Sequence, residues 1–308
     1  MRRCVSVAAL ATMAVWGSPA LAQDEDWRQL PPATQWNLDY ADDSCALRRL
    51  FGEEGSQVFL ELRQFQPGEA MQVIVTSDDI RRLDRGYRFR TSDGVTANFV
   101  PDTEAYNVGI PMGIGMGQWG EGFIAQISVL TARERALNEQ LQASQRVNLS
   151  ITDERRDARE NEITGLAIGN AFRDDIVLQT GNMHAPMTAM RECMDELLTH
   201  WGIDAEAHRG LLRQAQPLEL ERWARRLQEE YPMHLLARGE QAIVNVRITV
   251  GVDGRASACA VQTSLNEADF DELACELLLR HSRFEPALDG NGNPITSYWV
   301  TRVIYTLS

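Results

Sequence analysis

The sequence contains no lysine, and all 30 of its basic residues are arginines. This absence excludes a Schiff-base lysine, a lysine general base and the lysine of a phosphate-binding P-loop. Residues of negative charge are in excess, since 44 aspartates and glutamates give a formal net charge of −14. Such a charge disfavours phosphate backbones and anionic lipid surfaces as partners. No nucleic-acid partner is therefore predicted.

Short motifs of catalytic and metal sites are also absent. The five histidines form neither an H-x-x-x-H nor an H-E-x-x-H pair, and no serine lies in a G-x-S-x-G elbow. No two cysteines form a C-x-x-C. The glycine-rich stretch 107–123 is not followed by Gly-Lys-Ser/Thr or by a predicted helix, so it does not indicate a phosphate-binding loop. We predict no cofactor, no metal and no enzymatic activity.

The N-terminus has the pattern of a secretory leader. Two arginines in residues 1–3 are followed by an apolar run that ends in Ala-Leu-Ala at 20–22, an A-x-A type of cleavage site. We predict cleavage after Ala22 and export to the periplasm. Loss of Arg2 and Arg3 changes the net charge from −14 to −16. No other stretch is long enough to span a membrane, so no stable membrane insertion is expected once the leader is cleaved.

Export affects how the four remaining cysteines are interpreted. Cys45, Cys193, Cys259 and Cys275 are an even number, and in an oxidising compartment this favours disulfides. Four cysteines allow three pairings, and their spacing alone does not choose among them.

The hydrophobic patterns divide the chain into two folded parts of α+β class. A polar lead-in at 23–35 precedes an N-terminal domain, residues 31–202, which is predicted to be mostly antiparallel β-structure with helices. Within it, the charge run 153–162 is interpreted as a solvated helix face or loop. The stretch 185–202 is predicted to be a helix with an apolar face of methionine and leucine, best explained as core packing.

The second half of the chain begins with a helical connector. The connector is assigned to residues 203–230, with a helix that begins at Pro217. Residues 231–308 then follow a strand–strand–helix–strand pattern, which predicts a small ββαβ domain. In its first strand, Val244, Val246 and Ile248 alternate with polar residues, so one face of this strand is predicted to be buried.

Residues 231–308, about a quarter of the chain, resemble the TonB C-terminal domain family. The resemblance is carried by five features that occur in the family's order and spacing. They are Tyr231-Pro232 before a short helix, Arg238-Gly239-Glu240 before strand one, Asp253-Gly254 at the hairpin turn, a leucine-rich helix, and Arg283-Phe284-Glu285-Pro286-Ala287 before the final strand.

The resemblance implies a function in binding. Domains of this family lie in the periplasm and bind a short peptide segment of outer-membrane receptors by adding a strand to the edge of their sheet. Such an edge offers unpaired N–H and C=O groups to an extended peptide. By position, the residues predicted to contact the partner are Tyr231, Pro232, Tyr298, Val300, Arg302 and Ile304.

The resemblance also bears on the disulfides. It places Cys259 in the second strand and Cys275 on the helix that packs across the sheet, so we predict that these two are bonded. Cys45 and Cys193 then remain to join a strand region of the N-terminal domain to its helix.

Two departures from the family pattern leave three functions open. The sequence has a folded domain where a transducer of this family has a membrane anchor and a proline-rich span, and Ala242 stands where glycine is usual. We expect a soluble periplasmic protein that binds a protein or peptide partner in envelope transport or assembly. One alternative is a membrane-anchored energy transducer that retains the leader. The other is an envelope ligand-binding protein or enzyme, which a deep polar pocket within residues 36–202 would support.

Overall fold

A computed structural model describes two folded parts, each with its own hydrophobic cluster. The residues described are 27–80, 94–102, 106–107, 112–115, 121–131, 133–134, 136–137, 140, 153–230, 233–238, 242–264 and 268–305. One cluster is built from residues between Leu30 and Leu197, and the other from residues between Ala215 and Tyr305. Both parts contain strands and helices, which confirms the α+β class.

The N-terminal part contains eleven of the described strands and two of the described helices. The strands are β1 (Arg28–Leu30), β2 (Asn37–Ala41), β3 (Ser44–Phe51), β4 (Val58–Gln64), β5 (Ala70–Ser77), β6 (Thr96–Val100), β7 (Tyr106–Asn107), β8 (Met112–Gly115), β9 (Glu121–Ser128), β10 (Gly165–Gly169) and β11 (Ile176–Leu178). The helices are α1 (Asp153–Glu162) and α2 (His184–His200).

These strands form two sheets. The larger sheet is antiparallel with the order β2-β3-β4-β5-β9-β8, and the smaller has the order β1-β11-β10-β6-β7. Strand β1 is parallel to β11, with Arg28 opposite Ile176. The prediction of a polar lead-in is therefore wrong for Arg28–Leu30, because these residues complete the edge of a sheet.

An apolar core joins both sheets to α2. Alternate residues of the larger sheet, such as Leu47 and Leu62, point into this core together with Leu166 of the smaller sheet. Met187 and Met190 of α2 are buried in the same cluster, as are the other apolar residues of that helix face. The methionine stripe is thus core packing, as predicted.

The charged run at 153–162 forms the helix α1, and its residues are exposed or half-buried as predicted, except for Glu160. Glu160 is 1% exposed, and both of its carboxylate oxygens accept hydrogen bonds from Arg191 of α2 (2.5 and 3.1 Å). A residue predicted to face solvent therefore fastens α1 to α2 by an ion pair.

The C-terminal part contains the remaining described elements. The helices are α3 (Ala205–Arg209), α4 (Leu220–Glu229), α5 (Met233–Arg238) and α6 (Ala268–His281). The strands are β12 (Gln216–Leu218), β13 (Ala242–Val250), β14 (Ala256–Ser264), β15 (Arg283–Glu285), β16 (Ala287–Leu288), β17 (Pro294–Ile295) and β18 (Ser297–Tyr305).

The C-terminal sheet has three antiparallel strands in the order β14-β13-β18. Helix α6 covers one face with Phe270, Ala274 and Leu277, which are buried against β13. The hairpin between β13 and β14 turns at Gly254, whose φ of +74° favours glycine. A Cβ at this position would lie 2.1 Å from the carbonyl oxygen of Phe284, so this turn is also packed tightly against β15.

The connector belongs partly to the C-terminal fold. Gln216–Leu218 pairs with Arg283–Glu285, and the following helix begins at Leu220 rather than at Pro217 as predicted. Trp223 and Leu227 of that helix are buried in the C-terminal cluster. Among the described residues, no helix has both the length and the apolar character that crossing a bilayer requires.

Candidate partner-binding edge

Strand β18 lies at the edge of the C-terminal sheet, beside β13. Odd-numbered residues of β18 pack on the side of the sheet that α6 covers. The Trp299 ring lies against Phe284 and Trp223 at centroid distances of 5.4 and 5.5 Å. Tyr305 is fully buried, and its ring lies 5.0 Å from that of Phe270. Aromatic packing therefore fixes the strand on one face.

Two hydrogen bonds show which backbone groups of β18 point away from β13. Gln228 of α4 donates to the carbonyl oxygen of Ile304 (2.7 Å). Thr249 of β13 stands opposite Tyr298, and its carbonyl oxygen points toward β14, where it accepts from the Ser257 hydroxyl (3.2 Å). The backbone of Thr249 therefore does not bond to Tyr298. Residues of an antiparallel strand alternate in the direction of their N–H and C=O groups. The outward-facing positions are therefore the even-numbered ones from Tyr298 to Ile304.

These positions are the four that the sequence predicted in the final strand. The outward-facing residues Tyr298, Val300, Arg302 and Ile304 offer a row of backbone donors and acceptors, of which the Ile304 carbonyl is already bonded to Gln228. The other two predicted contact residues, Tyr231 and Pro232, lie outside the described residues.

The side chains of this row are engaged to different extents within the chain. Arg302 donates to Gln72 of β5 (2.9 Å) and to Asn245 (3.2 Å), and burial lowers the pKa of its guanidinium. Val300 is half-buried, and Ile304 is 42% exposed. Arg302 therefore serves contacts inside the protein.

Tyr298 is held by rings from outside the C-terminal sheet. It lies edge-on to Trp201 (5.9 Å) and is stacked on His208 (5.5 Å), while burial raises the pKa of its hydroxyl to about 12. The His208 ring is 2.7 Å from the hydroxyl of Ser297, and burial lowers the pKa of this histidine more than Asp204 raises it. The start of β18 is therefore fixed by the connector and by the end of α2.

A polar interface joins the sheet of the C-terminal part to the N-terminal part. Arg247 forms an ion pair with Asp43 (2.9 Å), and its guanidinium lies 4.2 Å from the centre of the Trp201 ring. The amide of Gln262 donates to the carbonyl oxygens of Asp43 and Phe65, both at 2.8 Å. This interface covers the sheet face opposite α6.

Sequence reasoning did not identify this interface. The alternation in β13 predicted one buried face, yet Asn245 is 5% exposed and Arg247 is 9% exposed on the other. Polar residues at every second position are typical of a solvated face. The local sequence pattern does not indicate that the N-terminal part covers this face of the C-terminal sheet.

The cysteines form the two pairs that were predicted. Cys45 of β3 is bonded to Cys193 of α2, and Cys259 of β14 is bonded to Cys275 of α6. The second bond closes a loop with a sequence separation of 16 residues. A loop of that size stabilises a fold by about 3 kcal/mol in the chain-entropy description. Each bond thus ties a strand to the helix that packs on it.

Other polar clusters in the described residues pair internally. Asp157, Glu160 and His184 have ligand-type atoms within 4.8 Å of one another, but the Glu160 carboxylate already binds Arg191. A groove of about 640 Å³ in the N-terminal part contains Glu134. Burial would raise the pKa of Glu134, but hydrogen bonds from Thr131 and nearby arginines hold it below its ordinary value. In both of these clusters, the buried carboxylates of Glu160 and Glu134 are already bound to arginine side chains.

The comparisons with known proteins bear on the C-terminal part. Residues 228–307 match the family model described as the Gram-negative bacterial TonB protein C-terminal. No curated protein and no solved structure matches the chain. The matched residues include all of the sheet, α6 and β18. Residues 228–307 are thus identified as a TonB C-terminal domain.

Proposed function

We propose that this chain is a periplasmic protein whose TonB C-terminal domain binds an extended segment of an envelope protein, by strand addition along β18. The observation that carries the proposal is the edge position of β18, with four residues whose backbone groups face outward. An extended segment satisfies such groups with main-chain hydrogen bonds. The partner class implied by the family is an outer-membrane receptor, and the role is binding in transport or assembly rather than catalysis.

Two observations support a location in the cell envelope. The family is one of Gram-negative envelope proteins, and the chain carries two disulfides, which persist in oxidising compartments. Sequencing the N-terminus of the protein recovered from cells tests this location. We expect Gln23 as the first residue. A retained leader would instead favour the membrane-anchored energy transducer.

Recognition in this proposal rests mainly on the backbone. The Tyr298 and Arg302 side chains are held by the N-terminal part and the connector, so the edge is presented already ordered. An ordered edge reduces the entropy lost when a partner binds. Because Gln228 already bonds the Ile304 carbonyl, the added strand is expected to pair chiefly along 298–302.

A proline substitution at the edge tests strand addition. Val300→Pro removes an outward-facing N–H but no hydrogen bond to β13, because Val300 stands opposite Arg247 with its backbone groups pointing away from β13. Val300→Thr is the matched control, since it keeps the N–H and a β-branched side chain. A photo-reactive residue at Ile304, which is 42% exposed, would record the partner in cells.

We expect cross-linked adducts at position 304 in the wild type and in Val300→Thr, and their loss in Val300→Pro. The same photo-reactive residue at Val252, which is 56% exposed in the β13–β14 turn, should not give these adducts. Unchanged adducts in a folded Val300→Pro protein would refute strand addition at this edge.

A further inference from the structure

A cleft of about 160 Å³ lies beside the first residues of β18. Its walls come from three regions: the β4–β5 turn and α2 of the N-terminal part, the connector, and β18 itself. Among the lining residues are Pro67, Leu198, His208, Leu211, Tyr298 and Trp299.

The lining residues show that this cleft lies on the open side of the strand. Tyr298 and Trp299 are neighbours in β18, so their side chains point to opposite faces of the sheet. Tyr298 contacts Trp201 on one face, and Trp299 contacts Phe284 on the other. A cleft that touches both residues lies at the strand edge, and β13 already occupies the inner edge. The cleft therefore adjoins the outward-facing backbone groups of Tyr298.

The size and lining of the cleft suit one aromatic ring. Its volume of about 160 Å³ is close to the ~150 Å³ of an apolar protein cavity that binds benzene. His208, Tyr298 and Trp299 are among its lining residues, Leu198 and Leu211 add apolar surface, and polar residues such as Asp195 and Gln214 line the rest. Aromatic pairs in offset or edge-on contact contribute about 0.5–1.5 kcal/mol beyond the burial of their area.

We propose that this cleft is a subsite that accepts one aromatic side chain of the segment added to β18. The proposal rests on strand addition as the function of the edge. Because Pro67 and Leu198 belong to the N-terminal part, that part supplies one wall of the subsite. The N-terminal domain thereby takes part in choosing the partner, while the β18 backbone provides the pairing.

A ring-sized probe and a filled cleft test the subsite. The probe is p-cresol, titrated into the full-length, disulfide-bonded protein while the indole N–H signal of Trp299 is followed by NMR. Ala205→Phe fills the cleft from α3, and Ala207→Phe is the matched control, because Ala207 lies on the same helix but does not line the cleft. Gln214→Phe is a second filling variant, with Gln216→Phe as its control, and it decides the result if Ala205→Phe does not fold.

We expect saturable shifts of the Trp299 signal in the wild type and in both controls, and at least about tenfold weaker binding in the filled variants, which is about 1.4 kcal/mol. Equal binding in a filled variant, or no binding to the wild type, would overturn the proposal.

Val300→Pro separates the subsite from strand addition. It should keep p-cresol binding while losing the cross-linked adducts. Adducts that survive Val300→Pro would refute strand addition, and with it the assignment of the cleft to an added strand, whereas adducts lost without any p-cresol binding would refute the subsite alone.

Discussion

At the scale of single residues, Arg247 joins the two parts of the chain by two different interactions. Its guanidinium pairs with the Asp43 carboxylate at 2.9 Å and lies over the Trp201 ring at 4.2 Å. The side chain is only 10% exposed, so solvent screens the pair weakly. A planar cation is suited to both contacts at once, whereas a lysine ammonium is a compact point charge.

Substitutions at Arg247 should separate these interactions. Arg247→Lys keeps the charge beside Asp43 and loses the planar contact with Trp201, so we expect a loss of about 1 kcal/mol in the free energy of unfolding. Arg247→Leu leaves the partly buried Asp43 without its cation, and we expect a loss of about 2–3 kcal/mol. Denaturant titration followed by circular dichroism measures both. Equal stability of Arg247→Leu and wild type would show that the ion pair does not hold the interface.

Glu61 is a second residue with a defined electrostatic role. Its side chain is 6% exposed and accepts hydrogen bonds from Arg48 (2.6 Å) and Arg63 (2.7 Å). Burial would raise the pKa of Glu61, but the two arginines outweigh it and hold the pKa below its ordinary value of 4.5. The unfolded chain therefore binds this proton more readily than the folded one. The stabilisation is complete above pH 4.5 and is lost as the pH falls through the lower folded pKa.

The lowered pKa of Glu61 predicts how the stability of Glu61→Gln changes with pH. At pH 7 we expect the variant to lose about 2–3 kcal/mol of unfolding free energy, because two arginines lose a charged acceptor. Below pH 4.5 the difference between variant and wild type should shrink. Denaturant titration at several pH values checks it, with the exposed Glu54→Gln as the control. A difference that grows on acidification would contradict the assignment.

At the scale of elements, β13 shows how far the sequence predicts this fold. Its valines and Ile248 predict a strand with one buried face, and the Asp253-Gly254 turn predicts the hairpin, because both signals are local. The burial of Asn245 and Arg247 depends on a domain that lies far away in the chain. The pairing of Gln216–Leu218 with Arg283–Glu285 is non-local in the same way. The position of the edge could be predicted, whereas the cleft, which three separate regions build, could not.

The β13–β14 hairpin gives a prediction for Gly254. Alanine at this position has both an unfavourable positive φ and a Cβ within 2.1 Å of a backbone oxygen of β15. Gly292→Ala is the matched control, since Gly292 has a φ of +83° and no heavy atom within 4 Å of an added Cβ. We expect the control to lose about 1–2 kcal/mol, and Gly254→Ala to lose about 1–3 kcal/mol more. Similar thermal stability of the two variants would show that the close contact with β15 is unimportant.

At the scale of the whole molecule, the two parts meet through polar groups and the ring contact of Trp201 with Tyr298, rather than through a shared apolar core. Each part has its own hydrophobic cluster and its own disulfide, while Arg247, Gln262 and Arg302 bridge them. Interfaces of this kind resemble those between separate proteins, and they leave each domain its own stability. The arrangement presents β18 as an ordered edge, with a wall of the N-terminal part beside its first residues.

The central claim is that this edge receives the partner strand, and amide hydrogen exchange of β18 tests it most directly. In the free protein, the outward-facing amides of Val300 and Arg302 should exchange faster than those of Trp299, Thr301 and Val303, which bond to β13. Binding of the partner segment identified by cross-linking should slow exchange at Val300 and Arg302 by about tenfold or more. Exchange at these two amides that is as fast in the complex as in the free protein would contradict the claim.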